Sequence, residues 1–145
     1  MSAIDGFRLV ERFPGIDDYR RLRSVAGLSP KSAEAAARGL ANTLYGVSVI
    51  DGERVIGMGR IIGDGGCFFV VVDIAVQPEF QKRGLGKRIM DALDAWLRAN
   101  APVSSNVSLF ADGDAKHLYA KYGFVEAGPV SVGMDYSVKA RAVRP

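Results

Sequence analysis

Apolar residues change their spacing several times along the chain, and each change marks an element. Residues 6–13 alternate loosely between apolar and polar and predict a strand, which Pro14-Gly15 breaks. Ile16, Tyr19, Leu22, Val25 and Ala26 then recur at helical spacing, so a helix is expected over 16–26 with Gly27 as its stop. Ser29-Pro30 reads as an N-cap followed by proline at the first helical position, and the alanine-rich run 33–37 carries a second helix that ends by Gly39 and Asn42. Residues 44–50, 54–62 and 67–76 have strand character, separated by the turn signals Asp51-Gly52 and Asp64-Gly65-Gly66. The third of these runs is apolar except for Asp73, the pattern of a central strand covered on both faces.

A long amphipathic helix follows. Ile89, Met90, Leu93, Trp96 and Leu97 share one face, while Lys87 with Asp91 and Asp94 with Arg98 are spaced for i,i+4 pairs on the other. Ala101-Pro102 ends it. A strand over 106–111, a short helix over 114–122 and closing strand material over 124–126 and 130–138 complete the pattern. With no repeat or linker, the expectation is a single domain over 1–138 and a loose basic tail over 139–145.

Composition narrows the classes. The formal charge is +3, but Lys139, Arg141 and Arg144 lie in the last nine residues, and without them acids and bases balance. A basic pI is then weak support for a nucleic-acid partner, and no aromatic-rich basic patch supports base stacking. The longest uncharged stretch, 99–111, is thirteen residues and includes Asn, Pro and Ser, so no membrane span is expected. The first residues lack the basic-then-apolar pattern of a signal peptide. One cysteine, Cys67, and one histidine, His117, argue against a disulfide framework or a metal site built from these residues. A cytoplasmic protein without a metal is the expectation.

The chemistry concentrates in Gln81-Lys82-Arg83-Gly84-Leu85-Gly86-Lys87. This segment joins the buried strand to the amphipathic helix, whose first-turn N–H groups lack intrahelical partners and carry the positive end of the helix dipole. Its glycines allow close approach to the backbone. Lys82, Arg83, Lys87 and Arg88 add cationic side chains with no acid between residues 81 and 90. The segment therefore reads as an anion site, best suited to a phosphate or pyrophosphate. Gln81 stands where the Walker loop needs glycine, and Ile89 stands where the dinucleotide fingerprint does, so neither pattern is met.

Gln81-Lys82-Arg83-Gly84-Leu85-Gly86 resembles the Gln/Arg-x-x-Gly-x-Gly/Ala motif of the GNAT superfamily of acyl-CoA N-acyltransferases. Residues 73–80 resemble the strand and turn that precede it. Asp112, Ala115, Leu118, Tyr119, Gly123 and Phe124 match a second pattern of that family, and the element order matches across nearly the whole chain. The resemblance implies an α/β fold: a mixed, mostly antiparallel twisted sheet flanked by helices, with a splayed parallel pair of central strands. It implies acetyl-CoA as acyl donor, its pantetheine arm pairing with the backbone of Ile74, Ala75 and Val76 and its pyrophosphate on residues 81–87. It implies acetyl transfer to a primary amine by direct attack on the thioester, with Tyr119 as general acid to the CoA thiolate and a backbone N–H near Val76 steadying the oxyanion. A homodimer is a further expectation, since dimers are common among similar proteins.

Two positions depart from the family pattern. Asp112 stands where asparagine is frequent, and Val70 stands where some members carry a glutamate base. Asp73 is the ionisable side chain left on the strand: a candidate base, or a structural hydrogen-bonding group. The missing glutamate keeps a non-catalytic acyl-CoA sensor as the alternative. Tyr119 and Trp96 also fit plain core packing, His117 reads as surface, and Cys67 as a small buried hydrophobe. Arg20, Arg21, Arg23 and Lys31 fit either an acidic acceptor or a solvated helix face. The acceptor amine stays open.

Overall fold

A computed structural model describes residues 2–4 and 6–139, with side chains from residue 6 onward. Strand β1 is Ser2–Ile4, β2 is Phe7–Val10, β3 is Tyr45–Asp51, β4 is Arg54–Gly63, β5 is Phe68–Val76 and β6 is Asn106–Ser108. Helix α1 is Ile16–Val25, α2 is Ala33–Leu40, α3 is Leu85–Asn100 and α4 is Ala115–Ala120. The strands form one sheet in chain order, antiparallel throughout except that β5 and β6 run parallel.

Helices cover both faces. Leu85, Ile89, Met90, Leu93 and Leu97 of α3 are buried against Val47, Val49, Ile61, Phe69 and Val71 of the sheet. On the other face Tyr19 and Leu22 of α1 and Ala36 of α2 pack with Met58 and Ala75. Trp96 lies on the α3 side, stacked on Tyr45 at 5.5 Å. Close approach of α3 requires Gly59, where a Cβ would stand 2.5 Å from Ile89 Cγ2.

A bulge in β5 decides which side chains face α1. Met58 pairs with Ala75 but Arg60 pairs with Val72, so Gly59 of β4 opposes two residues of β5, Asp73 and Ile74. The inserted residue shifts the strand's alternation. Phe69 and Val71 belong to the α3 core, whereas Ala75, also odd-numbered, belongs to the α1 core. Asp73 lies between them with φ 58°, a left-handed conformation rare outside glycine. Its carboxylate is thereby turned toward α1, where it meets Tyr19 and Arg23.

Several expectations need correction. The cap of α2 is Ser32, whose Oγ accepts from Ala35 N at 3.0 Å; Ser29 and Pro30 precede the helix, and the Ser29 carbonyl and hydroxyl instead receive Arg23. Strand β6 stops at residue 108, short of 111, where its pairing with β5 ends. Residues 124–126 and 130–138 form no strand, because no described strand lies alongside to pair with them. Cys67 is exposed: its N–H and those of residues 66 and 68 bond Asp64 Oδ1, which holds it in the turn ahead of β5. His117 is exposed, as expected, and residues 140–145 of the basic tail lie outside the described residues.

Candidate active site

The parallel pair opens a gap. Strand β5 extends over Phe68–Val76, but β6 pairs only with residues 68–70. Residues 71–76 are bonded to β4 on one side and carry no strand on the other among the described residues. Ile74, Ala75 and Val76 therefore present backbone along an open edge, which an extended chain can join as an added strand.

The glycine loop lies at the C-terminal end of that edge. A 3₁₀ turn, Pro78–Phe80, leads from β5 into it, and Gln81 Nε2 donates to the Val76 carbonyl at 2.9 Å, tying loop to strand. Lys82 and Gly84 both have positive φ, 62° and 80°. Gly84 is the N-cap of α3 and supplies no side-chain acceptor. A Cβ on Gly84 would meet no atom within 4 Å, so the space over the loop is open. The N–H groups of Leu85, Gly86 and Lys87 begin the helix there without intrahelical acceptors. Arg83 packs its guanidinium over Phe80 at 5.6 Å. Lys87 is engaged with Asp91 at 3.1 Å, so it acts more as a brace than as a ligand arm. Tyr122 donates to that same Asp91 at 2.6 Å. Burial pushes the Asp91 carboxyl up, but the Tyr122 bond and Lys87 outweigh it and hold the group below its usual value.

Tyr119 projects from α4, half-buried against the α3 core and edge-on to Phe124 at 6.4 Å. Burial, and secondarily the Asp112 charge, push its phenol above the usual value, so it keeps its proton at neutral pH. Asp112 is exposed at the mouth of α4.

Asp73 stands apart from the loop, under α1. Its Oδ1 accepts from Arg23 Nη1 at 2.5 Å and Tyr19 Oη at 3.1 Å, and its Oδ2 accepts from Arg60 Nε at 2.7 Å. The carboxylate is 5% exposed and both arginine side chains 10%. Both oxygens are thus committed to cations, which suits a group that positions others. Burial, then the Asp73 charge, raise the Tyr19 pKa, with the two arginines pulling against it. Sequence reasoning missed Arg60 and placed Arg23 with its exposed neighbours. The available signal was a charge inside each of two otherwise apolar neighbouring strands: Arg60, the one charge in 55–62 after Arg54 opens the strand, and Asp73 in 67–76.

The family model for the acetyltransferase (GNAT) domain matches residues 43–126. A probable acetyltransferase of unknown function, SA2161 from methicillin-resistant Staphylococcus aureus, superposes with a TM-score of 0.87 at 42% identity, over 91% of this chain and 99% of that one. A GNAT-family protein from Streptococcus pneumoniae shares the fold, with a TM-score of 0.73 at 22% identity over 92% and 99% of the two chains. Among curated relatives, an uncharacterized N-acetyltransferase of Porphyra purpurea is 37% identical over 73 residues, half of this chain and 41% of its own length. A chloroplastic serotonin N-acetyltransferase of rice is 37% identical over 83 residues, 57% of this chain and 40% of its own. The chain thus spans less than half the length of these curated relatives. With the open strand edge, the glycine loop at the head of α3 and the mixed sheet all in the corresponding order, the chain belongs to the GNAT acetyltransferase family.

Proposed function

We propose that this chain transfers an acetyl group from acetyl-CoA to a primary amine. The observation that carries this reading is the unpaired edge of β5 over residues 71–76, ending at the uncapped N-terminus of α3. The edge suits the amide groups of a pantetheine arm. The loop N–H groups of residues 81–87, with Lys82 and Arg83, suit the pyrophosphate. A neutral amine attacks the thioester carbonyl, and a backbone N–H of residues 74–76 steadies the oxyanion. As the intermediate collapses, the carbon–sulfur bond breaks, the thiolate takes the Tyr119 proton, and the amine proton passes to solvent. Asp73 orients Arg23, Arg60 and Tyr19 beside this edge rather than taking a proton. A cytoplasmic setting belongs to the same proposal, supported by the single cysteine.

Thermal melting with acetyl-CoA, CoA, dephospho-CoA, ATP and NAD tests the donor. A ligand at 100 times its dissociation constant adds about 2.7 kcal/mol, enough to raise the midpoint by several degrees. Acetyl-CoA and CoA are expected to give that shift and NAD none. Absence of a shift with every CoA species would remove the reading. A shift without thiol release across a broad amine panel would turn it into an acyl-CoA sensor.

A further inference from the structure

We propose that the acceptor amine carries an anionic group, a carboxylate or phosphate, held by Arg60 and Lys31. This rests on the acetyltransferase reading and specifies its second substrate. A cleft of about 240 Å³ lies between α1, α2 and β4, lined by Tyr19, Lys31, Ala36, Gly39, Leu40 and Arg60. It adjoins the open edge, because Tyr19 and Arg60 in its wall both bond Asp73, the residue before Ile74.

The charge balance there is uneven. Two buried guanidiniums share one carboxylate, so the Arg23–Asp73–Arg60 group carries a net positive charge. Arg23 is spent: Nε and Nη2 bond Ser29, and Nη1 bonds Asp73. Arg60 is not. Its Nε goes to Asp73 and its Nη1 to Thr43 and the Gly39 carbonyl, while Nη2 makes no hydrogen bond among the described residues. Phe13 and Tyr19 hold the guanidinium from its ring-facing sides at 5.6 and 5.9 Å. Lys31 adds a second cation, and no acid lines the cleft. Of the acids of α1 and α2, Asp18 and Glu34 are paired with Arg21 and Arg38, and Asp17 is exposed. Of the early cations, Arg20 bonds the Lys31 carbonyl and Arg21 the Val55 carbonyl and Gln77, so these braces leave Lys31 and Arg60 to meet a ligand. A nine-tenths-buried cation with a spare donor is best completed by an anion.

Matched acceptors test this: an α-amino acid against its carboxamide, and O-phosphoethanolamine against ethanolamine. The anionic member of at least one pair is expected to have a kcat/KM about tenfold higher or more. Lys31→Ala, an exposed change, should raise KM for that member with kcat little changed; Arg60→Lys, which keeps the charge, should be milder than Arg60→Gln. Turnover of the neutral members with no anionic preference would overturn the substrate inference and leave the acetyltransferase reading standing. Failure of acetyl-CoA to bind would remove both.

Discussion

Tyr119→Phe is expected to lower kcat by about 10²- to 10⁴-fold, the contribution of a positioned general acid, and to leave the acetyl-CoA dissociation constant unchanged. The substitution removes one oxygen. The ring keeps its edge-on contact with Phe124 and its place on the α3 core, so neither fold nor cofactor cleft should change. On the proposed mechanism, what is lost is the proton for the departing thiolate. Burial and then Asp112 raise the Tyr119 pKa, so the phenol is fully protonated at neutral pH and deprotonates only well into the alkaline range. Asp112→Asn removes the smaller of these causes, so any alkaline fall in kcat should move to lower pH in that variant. Tyr122→Phe is the control. Its hydroxyl donates to Asp91 at 2.6 Å, with the Lys87 carbonyl 3.2 Å away, and its loss should reach stability before rate. Single-turnover CoA release, followed with a thiol reagent, separates the two tyrosines. Unchanged turnover in Tyr119→Phe would remove that residue from the mechanism.

The legible parts of this molecule were those written in local periodicity. Ile89, Met90, Leu93 and Leu97 reveal α3 from spacing alone, and all four are buried. The glycine loop was legible because its chemistry is backbone chemistry, fixed by Gly84 and Gly86 in sequence. The family motifs then placed the remaining elements in order. The Asp73 cluster was not legible in this way. Arg20, Arg21 and Arg23 look alike on a helix face, and only the carboxylate 50 residues away makes Arg23 a buried residue. That carboxylate faces α1 because of a one-residue bulge, and a bulge leaves no mark on the apolar pattern of 67–76. The segment 130–138 is the reverse case. Its alternation is plain in the sequence, but a strand also needs a neighbour, and the single chain offers none.

Asp73→Ala should be the most destabilising single change in the sheet. It removes the one anion from between two guanidiniums that are nine-tenths buried, leaving both charges uncompensated. Breaking such a pair costs about 3–5 kcal/mol, which for a domain of this size lowers the melting midpoint by about 10–15 °C. Exposed pairs set the contrast: Arg38 with Glu34, at 80% and 74% exposure, should be removable with little effect. Backbone strain adds to the Asp73 loss, because alanine at φ 58° gives up the side-chain compensation that aspartate and asparagine have in the left-handed region. Three variants separate the causes. Asp73→Gly relieves the strain but not the charge, Asp73→Asn keeps the shape and some hydrogen bonding without the charge, and Asp73→Ala loses everything. The expected order of midpoints is parent, Asn, then Gly above Ala. An Asp73→Ala protein melting within a degree or two of the parent would show that the arginines find water instead, and that the cleft beside them is wetter than its walls imply. If the order holds, the carboxylate fixes where the spare donor of Arg60 sits. The bulge that turns Asp73 toward α1 then also sets the anionic selectivity proposed for the cleft.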